Sequence, residues 1–264
     1  MNGRVLIIAG SDSGGGAGIQ ADIKTVTMLG AYAATAVTAL TAQNTVGVQG
    51  ILPVPPDFVK LQIDSVLSDI GADCIKTGML LDHGVIEAVA NALDAHLPAM
   101  PLVVDPVMVA TTGARLLDAR AVEALIQRLI ARAAVVTPNA PEAEALTGQT
   151  IATLDDMRRA ADTLLRLGVE AVVIKGGHLA GPILTDLIAT SAESFVLEAS
   201  RIETRHTHGT GCTLASAIAA GLAQGMALRP SVERAHRFVQ EAIRTAPGYG
   251  AGHGPLNHAV EIKH

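Results

Sequence analysis

The sequence predicts one α/β domain, built on a mostly parallel sheet with helices on both faces. Three observations predict it. Short β-branched runs alternate with helical patterns along the 264 residues. These runs are almost continuously apolar, as strands covered on both faces are. No low-complexity linker, internal repeat or sharp change of composition divides the chain, so residues 1–264 read as a single domain.

In chain order, RVLIIAG (4–10) is the first strand, and the glycine-rich stretch after it leads into a helix carrying Asp22 and Lys24. Segment 57–67 follows Pro55-Pro56 and sets Val59, Ile63, Val66 and Leu67 on one helical face. CIKTG (74–78) and LVVDPV (102–107) are strands. Across 118–130, Val122, Leu125, Ile126, Leu129 and Ile130 recur with the helix period. AVVTPN (134–139) is a strand whose end starts a helix at Asn139 and Glu142. Thr153 with Asp156 opens helix 154–167 as a capping box, and Met157, Ala160, Ala161, Leu164 and Leu165 form its inner face. AVVIKGG (171–177) is another strand, while LTDLIAT (184–190) and SFVLEAS (194–200) alternate more and read as a hairpin. A further helix runs from Cys212 to Ala223. Open parallel sheets bind ligands beyond the carboxyl ends of their strands. The polar residues there are Asp12, Lys76, Asp105, Asn139 and Lys175.

Composition narrows the function. Hydrophobic residues make up 49% of the chain, enough for a sizeable core, but aromatics are only 2% and Trp is absent. That excludes an aromatic platform for single-stranded nucleic acid. The net charge of −6 gives no basic nucleic-acid footprint. Two cysteines, Cys74 and Cys212, make neither a disulfide framework nor a CxxC metal knuckle. No apolar run is long enough for a signal peptide or a membrane span, so the cytosol is the expected location. The Walker phosphate loop, GxGxxG, HExxH and GxSxG are all missing, which removes support from the common readings attached to them.

Several stretches carry chemistry, and each has a plainer reading beside it. AGSDSGGGAGIQADIKT (9–25) lets backbone approach a ligand closely, or is simply a flexible strand-to-helix turn. Asp105 at a strand end and Glu142 in a first helical turn could serve Mg²⁺ through water, or act as a turn residue and a dipole-matched charge. Lys175, after VVI, could meet phosphate as a point charge, or escape to solvent. HTHGTGCTLASA (206–217) is the most pointed of them. A glycine turn feeding a helix start gathers N–H groups and the positive dipole end, which suits an anion and lowers a thiol pKa. Taken alone, Cys212 could equally be a small packed helix residue.

Together these blocks resemble the ribokinase superfamily, and within it the hydroxymethylpyrimidine/phosphomethylpyrimidine kinases of thiamine biosynthesis. The resemblance rests on AGSDSGGGAGIQADIKT, TALTAQNT (38–45), KTGML (76–80), DPVMVATTG (105–113), TPNAPEAEAL (137–146), VIKGGH (173–178) and HTHGTGCTLASAIAAGL (206–222), in family order across nearly the whole chain. It implies a three-layer α/β/α ribokinase-like fold with no large lid domain, commonly a homodimer. The implied activity is ATP-dependent phosphorylation of 4-amino-5-hydroxymethyl-2-methylpyrimidine to its monophosphate and then its diphosphate, with Mg²⁺; a monovalent cation is a further candidate. By position, Gln43 resembles the residue that hydrogen-bonds the pyrimidine. Asp22 is similar to a substrate-contacting position, and Gly10, Met79 and Val107 to pocket-lining ones. Asp105 and Glu142 resemble the Mg²⁺-side carboxylates. Asn139, Lys175 and Thr207 resemble nucleotide-phosphate contacts, and Gly209 and Gly211 the anion hole beside a catalytic Cys212. Many superfamily members carry Asp where this chain has Cys212; the pyrimidine kinases carry Cys. The loop SDSGGGAG and the ATTG stretch (110–113) differ slightly from relatives, the second bearing on phosphate affinity. A pyridoxal kinase of the same superfamily, or a non-catalytic vitamin- or nucleotide-binding regulator, are the rival readings.

Overall fold

The computed structural model describes residues 1–96, 100–108, 117–179 and 181–260. Its main sheet has eight strands: β1 (Arg4–Ala9), β2 (Tyr32–Val37), β5 (Cys74–Thr77), β6 (Leu102–Val104), β7 (Val135–Val136), β8 (Ala171–Ile174), β9 (Ile183–Thr190) and β10 (Ser194–Ser200). Their spatial order is β10-β9-β8-β7-β6-β5-β1-β2. From β2 to β8 neighbouring strands are parallel, and β9 and β10 add an antiparallel hairpin at one edge. Two further strands, β3 (Ala39–Asn44) and β4 (Gly47–Pro53), pair only with each other, as a small ladder apart from the main sheet.

Helices cover both faces. On one lie α2 (Pro56–Asp69), α3 (His83–His96), α4 (Ala119–Ala124), α5 (Ala140–Thr147) and α6 (Leu154–Leu165). On the other lie α1 (Gly18–Met28), α7 (Thr210–Ala223) and α8 (Leu228–Arg244). Strand β1, flanked by β5 and β2, shows why the apolar runs are continuous. Leu6 and Ile8 enter the first core while Val5, Ile7 and Ala9 enter the second, so both faces of β1 are buried. The predicted three-layer α/β/α arrangement without a large lid is the one found.

The alanines of α7 have a packing reason. This helix lies between the sheet and α8, and its Ala215, Ala217, Ala219 and Ala220 are fully buried. At Gly221 a Cβ would lie 2.6 Å from Ser231 Oγ of α8, so only a hydrogen fits where the helices cross.

Several elements differ in detail from expectation. Strand residues 10, 78, 105–107, 137 and 138 leave the ladders as loops at the sheet's carboxyl edge, where Asn139 and Lys175 keep one isolated parallel bridge and Gly176–His178 form a 3₁₀ turn. The 118–130 helix is α4 followed by a π-helical turn, Leu125–Leu129, and a 3₁₀ turn, Ile130–Arg132; Leu125, Leu129 and Ile130 still face inward. The Thr153–Asp156 capping box forms as expected. No helix among the described residues is long and apolar enough to cross a membrane.

Candidate active site

A cavity of about 680 Å³ opens where β1 and β5–β8 end, with β3–β4 contributing to its wall. Gly10, Gln43, Met79, Asp105, Val107, Asn139, Glu142, Lys175, Thr207, Gly209, Gly211 and Cys212 all line it. Of the predicted site residues only Asp22 is not part of this lining. It is fully buried behind the wall, where both its carboxylate oxygens lie 2.9 Å from Lys76 Nζ and Ser216 Oγ donates to Oδ1 at 2.7 Å. Lys76 itself does line the cavity. Asp22 raises the Lys76 ammonium above its ordinary value, although burial opposes the charge. The ATTG stretch at 110–113 lies outside the described residues.

The cationic part of the site is built by two loops. Lys175 follows β8, with its N–H bonded to the Pro138 carbonyl at 2.9 Å, so the β7 and β8 ends run side by side. Its Nζ lies 3.2 Å from Asp105 Oδ1 and 3.7 Å from Glu142 Oε2. Burial works against this ammonium, but Asp105 and then Glu142 outweigh it and keep Lys175 charged. Burial pushes Glu142 up, helped by nearby Asp105 and opposed by Lys175. Asn139 and Glu142 form a capping box at α5: Glu142 N–H donates to Asn139 Oδ1 and Asn139 N–H to Glu142 Oε2, each at 2.8 Å. The cap and the cavity therefore share the same two side chains, so the first-turn role of Glu142 and its place at the cavity are compatible.

Gly209 is the N-cap of α7 with φ 85°, a left-handed conformation that favours glycine, and any Cβ would collide with the Gly16 carbonyl. It offers no side-chain cap; Thr210 N–H donates to the Thr207 carbonyl at 3.3 Å, which leaves the Gly211 and Cys212 amides of the first turn for a ligand. A Cβ on Gly211 would sit 3.1 Å from Lys175 Nζ and 3.7 Å from Asp105 Oδ2. The helix start and the Lys175 cluster thus meet at one point. Cys212 belongs to that same turn. The helix position leads one to expect an acidified thiol, yet burial pushes Cys212 up to about 12, against the pull of Lys76 and an N–H bond from Gly18. At neutral pH the group is a thiol: removal from water outweighs the dipole.

The glycine-rich loop is pinned, not loose. Asp12 Oδ1 accepts from Gly14 N at 2.8 Å, and Oδ2 accepts from Gly16 N at 3.0 Å and Ala17 N at 2.8 Å. His208 Nε2 reaches the same Oδ2 at 2.9 Å. Burial opposes the Asp12 charge, but His208 and these amides outweigh it and hold the carboxyl below its usual range. Gln43 sits at a bulge where the β3–β4 register shifts between Ala42 and Gln43; bulges re-aim side chains, and this one is among the cavity's lining.

The model of the phosphomethylpyrimidine kinase family matches residues 12–257. A bifunctional thiamine biosynthesis protein of Geobacter sulfurreducens is 54% identical over 258 residues, covering 98% of this chain and 52% of that protein. The chain belongs to the phosphomethylpyrimidine kinase family. It spans about half of that bifunctional relative but 94% of a hydroxymethylpyrimidine/phosphomethylpyrimidine kinase of Bacillus subtilis, to which it is 47% identical over 256 residues. Among solved structures, an ADP complex of a Bacillus subtilis pyridoxal kinase superposes with a TM-score of 0.91 at 36% identity, covering 98% of both chains.

Asp12 and Lys76 stood out in the sequence only as polar strand ends, and His208 and Ser216 did not stand out at all. His208 immediately precedes the Gly209 turn, which is the one local signal that could have marked it.

Proposed function

We propose that the protein phosphorylates 4-amino-5-hydroxymethyl-2-methylpyrimidine with ATP, and then its monophosphate to the diphosphate, in thiamine biosynthesis. The observation that carries this reading is the convergence of Lys175, Asp105, Glu142 and the uncapped start of α7 on one cavity that also receives Gln43. It has a cationic, N–H-rich point for a phosphoryl group and an amide for a heteroaromatic ring.

In this reading the pyrimidine rests against Gly10, Met79 and Val107 while Gln43 pairs with its polar edge. The hydroxymethyl oxygen lies at Cys212. Lys175 and the amides of Gly209, Gly211 and Cys212 neutralise the equatorial oxygens of the transferring group, and Asn139 and Thr207 hold the nucleotide phosphates. Asp105 and Glu142 fit Mg²⁺, because it takes few protein carboxylates and fills its shell with water and phosphate oxygens. When bound, Mg²⁺ supplies charge neutralisation on the phosphates. Phosphoryl transfer is mainly positioning and electrostatics, so a neutral thiol that holds the hydroxyl in line suffices. Asp22 acts from behind by holding Lys76 at the cavity wall. The reaction is placed in the cytosol, where ATP is available.

Pyridoxal is the second candidate substrate, favoured by the close superposition on a pyridoxal kinase. Against it stands the higher identity to the pyrimidine kinases. One ATP assay separates the two: the pyrimidine alcohol, its monophosphate and pyridoxal are supplied in turn and the products resolved. Formation of the diphosphate from the monophosphate is expected; turnover of pyridoxal alone would overturn the reading. Ligand binding without any ATP turnover would favour a regulator.

A homodimer is proposed as well. Leu40 and Leu52 stand opposite each other across β3–β4, and Phe58 and Leu61 follow on α2, each about half exposed. Exposed apolar residues on β3, β4 and α2 suit contact with a second copy. Leu52→Glu with Phe58→Glu is expected to give monomers by sedimentation; an unchanged mass would remove this surface from consideration.

A further inference from the structure

We propose that His208, anchored by Asp12, fixes which way round the Gln43 carboxamide faces the cavity, and so makes the site select a 4-aminopyrimidine over a pyrimidin-4-one. This rests on the reading of Gln43 as the pyrimidine contact. The argument is a count of donors and acceptors. Gln43 Nε2 lies 3.1 Å from His208 Nε2, and Gln43 Oε1 lies 3.4 Å from Thr41 Oγ1. His208 Nε2 also lies 2.9 Å from Asp12 Oδ2.

An ionised carboxylate is acceptor-only, and Asp12 already collects three backbone N–H groups. His208 Nε2 therefore carries a hydrogen whether the ring is neutral or cationic. The Thr41 hydroxyl has one hydrogen, and it donates to the Ser11 carbonyl at 2.9 Å. The two ends of a carboxamide have nearly the same shape, so hydrogen bonding decides their order. With nitrogen toward His208, two N–H groups oppose each other, and two acceptors oppose each other at Thr41. Turned over, Oε1 shares the single His208 Nε2–H with Asp12 Oδ2 in a three-centre bond, and the amide N–H₂ donates to Thr41 Oγ1. That order satisfies both neighbours and leaves one N–H and one lone pair for a ligand.

The consequence is specificity. A 4-aminopyrimidine presents a ring-nitrogen acceptor beside an amine donor. A pyrimidin-4-one presents the reverse, N–H beside C=O. A carboxamide free to turn would take both patterns. One held by His208 and Thr41 takes one pattern, because the wrong ring leaves polar groups unpaired. His208 and Asp12 are positioning residues in this scheme: they act on the substrate through Gln43.

The test is the ratio of kcat/KM for 4-amino-5-hydroxymethyl-2-methylpyrimidine to that for its 4-oxo counterpart. The unsubstituted enzyme is expected to prefer the amine by at least about 10²-fold, since a site built around hydrogen bonds rejects a mismatched partner strongly. His208→Leu is expected to bring the ratio below about 10, with the loss falling on KM for the pyrimidine rather than KM for ATP. His208→Gln should restore the ratio, because its N–H₂ can bridge Asp12 and Gln43 Oε1. Should His208→Leu fail to fold, His208→Met serves, being unbranched and adaptable. A ratio retained in the folded apolar variant overturns the proposal, even if both substrates slow equally. Gln43→Leu separates the two layers. If it leaves the pyrimidine KM unchanged, the reading of Gln43 fails and the proposal with it. If it raises that KM while the His208 variants keep the ratio, only the orientation scheme falls.

Discussion

The protein holds two lysine–carboxylate clusters at the same edge of its sheet, and they differ in one respect. Lys76 and Asp22 are both completely enclosed, and Asp22 accepts from Lys76 through both oxygens and from Ser216. Lys175 keeps 14% of its side chain exposed and shares its charge between Asp105 and Glu142 at 3.2 and 3.7 Å. The first cluster has saturated its strongest partner. The second is looser and open to the cavity, so a phosphate can compete for it. A sealed ion pair contributes shape and a fixed local charge; a half-open one can do chemistry. The cost of breaking each should therefore appear in different measurements.

Removing Lys76 gives the largest expected effect on the fold. Lys76→Met leaves Asp22 buried without its counter-charge and is expected to destabilise by about 3–5 kcal/mol in denaturant unfolding. Pairing it with Asp22→Leu should recover most of that loss, because an apolar pair of similar volume is often as stable as the ions. Lys175→Met should differ in emphasis, costing less in unfolding than Lys76→Met because this cluster stays partly open to the cavity, with turnover lower by about 10²–10³-fold, the usual cost of losing one group that stabilises transition-state charge. If Lys175→Met unfolded the protein and Lys76→Met slowed only the reaction, the contrast between sealed and open clusters would be reversed.

The two cysteines sharpen the same contrast. Cys74 is fully enclosed in β5 and burial pushes its thiol far up. Cys212 is half-buried at the cavity and its thiol is pushed up to about 12. Cys212→Ala is expected to lower turnover by about 10²-fold, the scale of loss when a reacting group is no longer held in line. Cys212→Ser should recover part of it, since a group that only holds the substrate hydroxyl in line needs a hydrogen-bonding atom and not a thiolate. Turnover of the Ser variant as low as that of the Ala variant would restore the thiolate-base mechanism. Cys74→Ala should leave kinetics alone and cost about 1 kcal/mol of stability.

What could be read from the sequence follows from which forces are local. Strands such as β1 were legible because burial on both faces makes a continuous apolar run. β2, with its sequence YAATAV, lies at the sheet edge and has mixed exposure, so no such run announces it. The β3–β4 ladder was hidden because the less exposed face of β3 is Ala39, Thr41 and Gln43 while Leu40 is exposed, so its alternation is not a hydrophobic one, and β4 is exposed along most of its length. α8 carries an inward face of Val232, Phe238 and Val239, but Ser231 and His236 interrupt it and Pro230 sits in its first turn, where proline is tolerated although it reads as a breaker. In the site, Asp105, Asn139 and Lys175 were legible as strand ends. The partnerships were not. Asp22 meets Lys76 across 54 residues and Asp12 meets His208 across 196. The Cys212 thiol went the other way from its helix position because burial, a tertiary property, outweighs a local dipole.

Two capping boxes give the smallest and cleanest comparison. Thr153 and Asp156 cap α6 at the surface, while Asn139 and Glu142 cap α5 with Glu142 also facing Lys175. Thr153→Ala and Asn139→Ala should each cost about 1 kcal/mol of stability, because each leaves a first-turn N–H without its acceptor. Only the second should also alter the reaction. Asn139 Oδ1 holds the Glu142 amide and Asn139 N–H holds the Glu142 carboxylate. Loosening the cap frees that carboxylate to turn toward Lys175 and compete with nucleotide phosphate. The expected result is a higher KM for ATP in Asn139→Ala at temperatures where both variants are folded, with Thr153→Ala unchanged. Equal kinetics in the two variants would mean that α5 is capped at the cavity for stability alone, and that Asn139 has no part in holding the nucleotide.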